Sequence, residues 1–525
     1  MHSRILLGVG LLGLVGCGVF GSDSSPSDPA PTPPAAEPPA AMGDGGLPEG
    51  APPPAVGTPA NDELTNEFGV FVTAAAPAGG DGTKEHPFAT ISAGIERVKD
   101  LKLRVYVCAG TYKESLTLVN AVSVISALSC DGGVWKTGGA RAVLEAPTSP
   151  AIRAKDIALA TRLEGFDVTA PVGTAMAPNS IALIAESATM LTVANTKLTS
   201  AKAFDGADGT DGVPLTLGAA AAGAAGLPFD GRELAANPIT GPQQQAGGAP
   251  GIGSCVGAPG HNGEPGSRGG AGDTLVCKGT VSPVNPSQIS YRWYVYSSQV
   301  RTDGAPTPGG GGPGAAGNDG TSASAGTFVA NGYTPAGGTA GADGAVGHGG
   351  KGGDGAPQTN FSCQSGSIEE GKNLYDASGG GGGAGGCPGL AGTPGTGGGA
   401  SAAALVFASL GLTFTATELV AGTGGNGGKG VFGSMATGGG AAGAAYNGAT
   451  AGAPGGAGGR AGFSGNGAGG PSVALAYTGG AVVLSPDSHT TAGFAGAGVA
   501  ARTNPTTNVT IPASPSGPAM PVFQF

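Results

Sequence analysis

The sequence is poor in charge, in aromatic rings and in long apolar runs. Of its 525 residues only 11% are charged and 5% aromatic, and 24 Lys plus Arg stand against 35 Asp plus Glu. The basic residues are scattered. A nucleic-acid footprint clusters them on one face, so nucleic acid is not an expected partner. Typical disorder combines low hydropathy with high charge; with a net charge of −11 and a mean hydropathy of +0.09 this chain has neither. No Cys-x-x-Cys occurs and no His clusters with the thiols, which argues against a zinc site. The five histidines (His2, His86, His261, His348 and His489) are dispersed, and none stands in a recognisable motif with a Ser or Cys nucleophile. No catalytic constellation is visible, and no cofactor or metal is expected.

Glycine is what the chain has in excess: 107 residues, beside 42 prolines. That is roughly three times the usual share of about 7%. Glycine buries no side chain and loses the most backbone entropy on ordering. The length would suggest about three domains, but this composition argues against three compact ones.

The first residues, "MHSRILLGVGLLGLVGC", carry Arg4, then an apolar run from Ile5 to Val15, then Gly16-Cys17. The run is shorter than the ~20 residues of a spanning helix and reads as a signal peptide. A small residue directly before Cys resembles the bacterial lipobox. The resemblance implies cleavage before Cys17, acylation of that residue and a stable multi-chain lipid anchor. Gly18 follows where Asp would suggest inner-membrane retention, so the outer membrane or cell surface is the expected location.

Six cysteines remain: Cys108, Cys130, Cys255, Cys277, Cys363 and Cys387. An even number in an exported chain suggests disulfides, and six allow about 15 pairings. The gaps of 22, 22 and 24 residues make nearest-neighbour pairing the natural expectation.

Composition divides the chain into a signal peptide (1–17), a Pro/Ala-rich tether (18–62), a conventionally patterned region (63–205), a glycine-rich insertion (206–400) and a further patterned region with its own glycine-rich loop and a tail (401–525). In the patterned region, Ile91, Ile95 and Val98 predict a short amphipathic helix with Thr90 as N-cap. Short alternating runs at 104–110, 115–128, 142–147 and 157–170 predict strands. The gap between Cys108 and Cys130 matches one ~20–25-residue coil of a parallel β-helix, whose stacked strands lie ~4.8 Å apart, within disulfide reach. An internal repeat agrees. At a constant offset of 221, Ser180 meets Ser401, Ile184 meets Leu405, Val193 meets Phe414 and Leu198 meets Leu419. A third copy at 472–486 fits with a one-residue deletion. The expected fold is therefore all-β: a right-handed parallel β-helix with long glycine-rich insertions from one corner. Gly82–Val98 would cover the first rung, whose unpaired edge invites aggregation.

The segments "DGTKEHPFATISAGIERV" and "VYVCAGTYKESLTLVNAVSVISALSCDGGVW" resemble the first coils of pectin-lyase-like right-handed β-helix lipoproteins of the myxobacterial type. The turn Gly110, Thr111, Tyr112, Glu114 and the two cysteines carry the likeness. The glycine-rich body is similar to PGRS-type surface proteins. The resemblance implies a fold and a location. Pectate lyases of this superfamily use calcium-binding Asp residues and an Arg base, and no matching cluster transfers to this sequence.

Glycine recurs every third residue over 257–272, 338–355 and 386–398. Such triplets let extended threefold strands pack closely, with disordered loops as the alternative. Cys255–Cys277 and Cys363–Cys387 would staple them. "SQISYRWYVYSS" (287–298), with Tyr291, Trp293, Tyr294 and Tyr296, predicts a strand or hairpin. Asp205, Asp208 and Asp211, spaced by three, read as turn residues rather than a calcium loop, whose ligands are spaced by two. The expected role is a non-enzymatic structural or adhesive envelope protein. Its expected partners are a lipid bilayer through Cys17 and extracellular polysaccharide or envelope proteins. The alternative is a polysaccharide-active lyase or hydrolase.

Overall fold

The computed structural model describes residues 57–101, 103–212, 220–227, 246–255, 258–259, 262–266, 274–281, 289–294, 310–355, 372–373, 378–445 and 449–525. The signal peptide, Cys17, most of the tether, Tyr296 and Cys363 lie outside the described residues. The chain is all-β, and its principal sheets are parallel.

Three sheets dominate. Sheet I orders Gly69–Val72, Arg104–Cys108, Val124–Ser129, Thr161–Glu164, Leu191–Ala194, Thr413–Thr415 and Val483–Leu484. Sheet II orders Thr111–Tyr112, Ala142–Glu145, Phe166–Thr169, Lys197–Thr199, Glu418–Val420 and His489–Thr491. Sheet III orders Leu116–Leu118, Ile152–Lys155, Ser180–Glu186, Ser401–Phe407, Ser472–Thr478 and Ala519–Gln524. From Arg104 onward the chain visits sheets I, II and III in turn and then begins again. Residues 519–524, expected to be a tail, are instead a strand of sheet III.

Each sheet buries one column of apolar side chains. Val70, Val105, Val124, Leu163, Val193 and Phe414 stack in register in sheet I. Tyr112, Leu144, Val168, Leu198 and Leu419 do so in sheet II. Leu116, Ile152, Leu183, Ala404 and Leu475 do so in sheet III. Each fully buried Val, Leu or Phe contributes about 1.5–3 kcal/mol, so these columns set the register. The repeat read from the sequence holds: Ser180 pairs with Ser401, Ile184 with Leu405, Val193 with Phe414 and Leu198 with Leu419. Ser401 pairs in turn with Ser472, and Thr413 with Val483, one residue short of that spacing.

Two corners are turned by stacked left-handed residues. Asp156, Ser187, Ala408 and Gly479 follow register-matched strand ends of sheet III and take φ of 54°, 52°, 47° and 80°. Gly165, Asn195 and Ala416 do the same after sheet I, at 80°, 43° and 48°.

Beside the first strands of sheet I, the helix Ile91–Val98 buries Ile91, Ile95 and Val98, and the Thr90 side chain accepts the Ala93 N–H. It packs on Gly69–Val72 and Arg104–Cys108. The strand Gly69–Val72, sequence GVFV, precedes the segment expected to form the first cover. On the other face of sheet I, Phe71, Tyr106 and Leu128 form a second cluster with Leu64 and Trp135 beside the Cys108–Cys130 disulfide, whose Cα atoms are 5.9 Å apart.

The long glycine-rich stretches all leave between a strand of sheet II and the next strand of sheet III: after Thr199, after Val420 and after Thr491. They join in one bundle. Its centre is the buried run Ser378–Gly386, sequence SGGGGGAGG. Consecutive N–H groups there point to three different strands: Gly380 donates to Thr450 O, Gly381 to Ala224 O and Gly382 to Glu264 O. The pattern then repeats, with Gly383 donating to Ala453 O and Ala384 to Ala221 O. This is the three-residue turn of a polyproline-II-type helix. A Cβ on Gly381, Gly382 or Gly383 would lie 2.0–2.1 Å from a neighbouring carbonyl oxygen. The centre must therefore be nearly all glycine. Outer strands meet a neighbour on fewer sides and keep glycine at every third position, as at Gly311, Gly314, Gly317 and Gly320, whose N–H groups reach Pro454, Ala457, Arg460 and Phe463.

The bundle corrects two expectations. Cys255 bonds to Cys387, not to Cys277, and Cys363 is therefore not the partner of Cys387. The cause is local. Gly248 and Gly251 donate to Gly379 O and Gly382 O, so this strand runs parallel to the central one and carries Cys255 to Cys387. Asp205 and Asp208 are not turn residues. Their carboxylates accept the N–H groups of Asn426 (2.8 Å) and Lys429 (2.7 Å), again 221 residues on.

Candidate functional site

The central strand of sheet III, Ser401–Phe407, is covered on both faces and buried throughout its length. The hairpin of Thr327–Val329 and Gly332–Thr334 lies against it: Asn179 Nδ2 donates to Tyr333 O, and the Phe328 ring stands 5.8 Å from that of Phe523. Sheet I is partly covered by residues 58–65, through Thr58 on Glu164 and Asn61 on Thr137. Sheet II alternates buried with half-exposed or exposed residues, so one of its faces is open.

One charged column runs along that open face. Asp167, Lys197, Glu418 and His489 sit on four successive strands of sheet II, in register. Arg141, just before the strand Ala142–Glu145, spans several of them. Its Nη1 lies 3.3 Å from Asp167 Oδ1 and 3.8 Å from Glu418 Oε1. Its Nε and Nη2 donate to Asn195 Oδ1, at 3.3 and 3.0 Å. Lys197 Nζ lies 3.5 Å from Glu418 Oε2. Two cations thus balance two carboxylates, and no like charges stand on adjacent rungs. These half-exposed pairs are worth at most about 1 kcal/mol each. Their chemical content lies in their spacing. Donors and acceptors alternate about every 4.8 Å, a strip suited to hydrogen-bonding a linear, hydroxyl-rich chain laid along the stack. Asp167 and Glu418 are two rungs, roughly 10 Å, apart, with Lys197 between them.

Sequence reasoning missed this column. The offset of 221 was the available signal, since it places Lys197 on Glu418. Away from the column, the ion pair of Arg460 with Asp319 (2.8 Å) joins two bundle strands; these bonds and the Phe463 N–H hold the Asp319 carboxyl below its ordinary value against partial burial.

The remaining expected site residues are dispersed. Cys277 lies in the strand Thr274–Val281, paired antiparallel with Ile289–Tyr294, which places Trp293 opposite Cys277 and Tyr291 opposite Gly279. Among the described residues no three His, Cys, Asp or Glu converge to hold a metal ion, and no helix is long and apolar enough to cross a membrane. No family model, curated protein or solved structure matches this chain.

Proposed function

We propose that this chain is a right-handed parallel β-helix displayed on the outer membrane or cell surface through acylated Cys17, and that it acts there as a non-enzymatic structural or adhesive protein. The observation that carries the reading is the common corner. Glycine-rich segments that would be loops on an ordinary solenoid leave at one place and hydrogen-bond into a single bundle. Solenoid and bundle together make a stiff body with an extended open face. The cyclic visiting of three parallel sheets supports the solenoid, and the helix Ile91–Val98 against the first rung supports a capped start. Two disulfides support an oxidising, extracytoplasmic setting. The charged column of sheet II is the surface offered to extracellular polysaccharide or envelope proteins.

Metabolic labelling with a clickable fatty acid tests the anchor: label on the full chain, lost in Cys17→Ser, is expected. A glycan array with the Cys17→Ser chain tests the ligand class. Binding without cleavage, weakened by Lys197→Ala, supports adhesion. One observation favours a second reading, a polysaccharide-active enzyme: two carboxylates on an open face. Cleavage products abolished by Asp167→Asn or Glu418→Gln would establish it and displace the first.

A further inference from the structure

The two ends of the stacked sheets are unlike. At one end Gly69–Val72 is overlaid by the helix Ile91–Val98, and Val72 also bridges to Phe88. At the other, all three sheets finish on edge strands: Val483–Leu484, His489–Thr491 and Ala519–Gln524. Among the described residues nothing pairs with the outer edge of any of them. This end also gathers exposed apolar side chains. Val483 is 49% exposed, Met520 44%, Val522 40% and Phe494 81%. Natural sheet edges are guarded by charge, by proline or by a covering element. Here no charged residue occurs over 503–525, and Pro521 is the single guard in the strand. It removes one N–H and leaves the rest of the edge able to pair.

We propose that this end is a homophilic docking surface, on which two copies of the chain meet tail to tail about a twofold axis. Two observations select a second copy as the occupant. The strip over 503–525 carries no charged side chain and so meets itself without repulsion, the carboxylate beside the other two edges being Asp487. The opposite end is covered, so copies cannot stack head to tail. Only the symmetric arrangement, with Ala519–Gln524 antiparallel to its own copy, satisfies the open edge, and it closes at two. The consequence rests on the anchored reading above. An anchor before the first rung and a docking edge on the last would join two facing surfaces tip to tip.

Sedimentation of the Cys17→Ser chain from about 0.1 to 100 µM tests the pairing independently of the anchor. A monomer–dimer equilibrium is expected. Val522→Lys should raise its Kd by at least about tenfold. Phe494→Lys, outside every strand, should do likewise and guards against misfolding of the first variant. Met176→Lys, at a residue 98% exposed on a distant loop, should change nothing. A monomer at every concentration, open-ended polymers, or a dimer indifferent to both tip lysines would overturn the proposal. Fatty-acid labelling that fails while the dimer persists would remove the anchor and leave the docking surface standing. Acylated chain that pairs in solution should also cluster vesicles carrying it.

Discussion

The Glu114 carboxylate accepts the backbone N–H of Ile91 at 2.7 Å and of Ser92 at 2.9 Å. It thereby occupies the N-terminus of the first-rung helix from a turn 23 residues later. Those N–H groups have no partner inside the helix, and a carboxylate there also meets the positive end of the helix dipole. The Tyr112 hydroxyl, two residues before it, donates to Cys108 O and accepts the Ala74 N–H. The strand Thr111–Tyr112 and the Glu114 that follows it thus clamp the helix to the first strands of the sheets. Glu114→Ala should cost about 1–2 kcal/mol, and Glu114→Gln less, read as shifts in the denaturant midpoint.

Bundle glycines should separate sharply by position. A Cβ on Gly467 would lie 1.9 Å from Thr396 O, whereas one on Gly438 meets nothing within 4 Å. Gly467→Ala should destabilise by about 3 kcal/mol or more as backbone strands are forced apart. Gly438→Ala should be neutral or stabilise by about 0.4–1 kcal/mol through the unfolded chain. Amide hydrogen exchange across 378–399 would report both.

At the corner after sheet III, Ala408 takes φ of 47° where the next rung has Gly479. A left-handed alanine costs about 1–2 kcal/mol, of which the looser unfolded chain returns about 0.4–1. Ala408→Gly should therefore raise stability by about 0.5–1 kcal/mol. Ala404→Gly, in the middle of a buried strand, should lower it. Thermal midpoints of the two variants would have to move in opposite directions.

The Cys255–Cys387 bond closes 132 residues. Its loss should cost about 2–5 kcal/mol, mainly in the bundle. Non-reducing peptide mapping should recover a 255–387 cross-link and no 255–277 cross-link. Hydrogen exchange after Cys255→Ser should quicken over 246–253 and leave the apolar columns of the sheets protected.

Asp319 titrates below its ordinary value because Arg460 and the Phe463 N–H bond its charged form. A carboxyl depressed in the native state adds stability that is complete above its unfolded pKa of about 3.9. That increment disappears as pH falls through the lower native value. Asp319→Asn should thus be less stable than the parent at pH 6 by under about 1 kcal/mol, since the pair is half-exposed. The gap should be narrower at about pH 2 than at pH 6. A gap unchanged between those two points would contradict the assignment.

Much of the sheet architecture was legible because it rests on side chains that recur. The offset linking Ser180 to Ser401 and Leu198 to Leu419, and the Ile91, Ile95, Val98 spacing, report burial directly. The Cys108–Cys130 pair joins the ends of two neighbouring strands of sheet I, as its spacing of 22 residues suggests. The bundle obeys another geometry. Its strands run in both directions and choose neighbours by backbone fit, as when Gly425 donates to Gly399 O and Gly428 to Thr396 O with opposite chain senses. Glycine triplets reveal that strands pack but not which ones, and that is why nearest-neighbour spacing pairs Cys255 wrongly with Cys277. The charged column was hidden for a related reason: Arg141 lies outside the repeat and reaches its partners only across rungs.

The nearly bare core of Ser378–Gly386 also sets how the two halves of the molecule respond to temperature. Its unfolding uncovers peptide groups and few methyls. Apolar exposure raises heat capacity by about 0.45 cal/K/mol per Å², and polar exposure lowers it by about 0.26. The glycine bundle therefore unfolds with a small or negative heat-capacity increment, while the Val, Leu and Phe columns carry a large positive one. The stability of the sheets bends with temperature and fades on cooling; that of the bundle runs almost straight, so in the cold the glycine half is the part that keeps its hold.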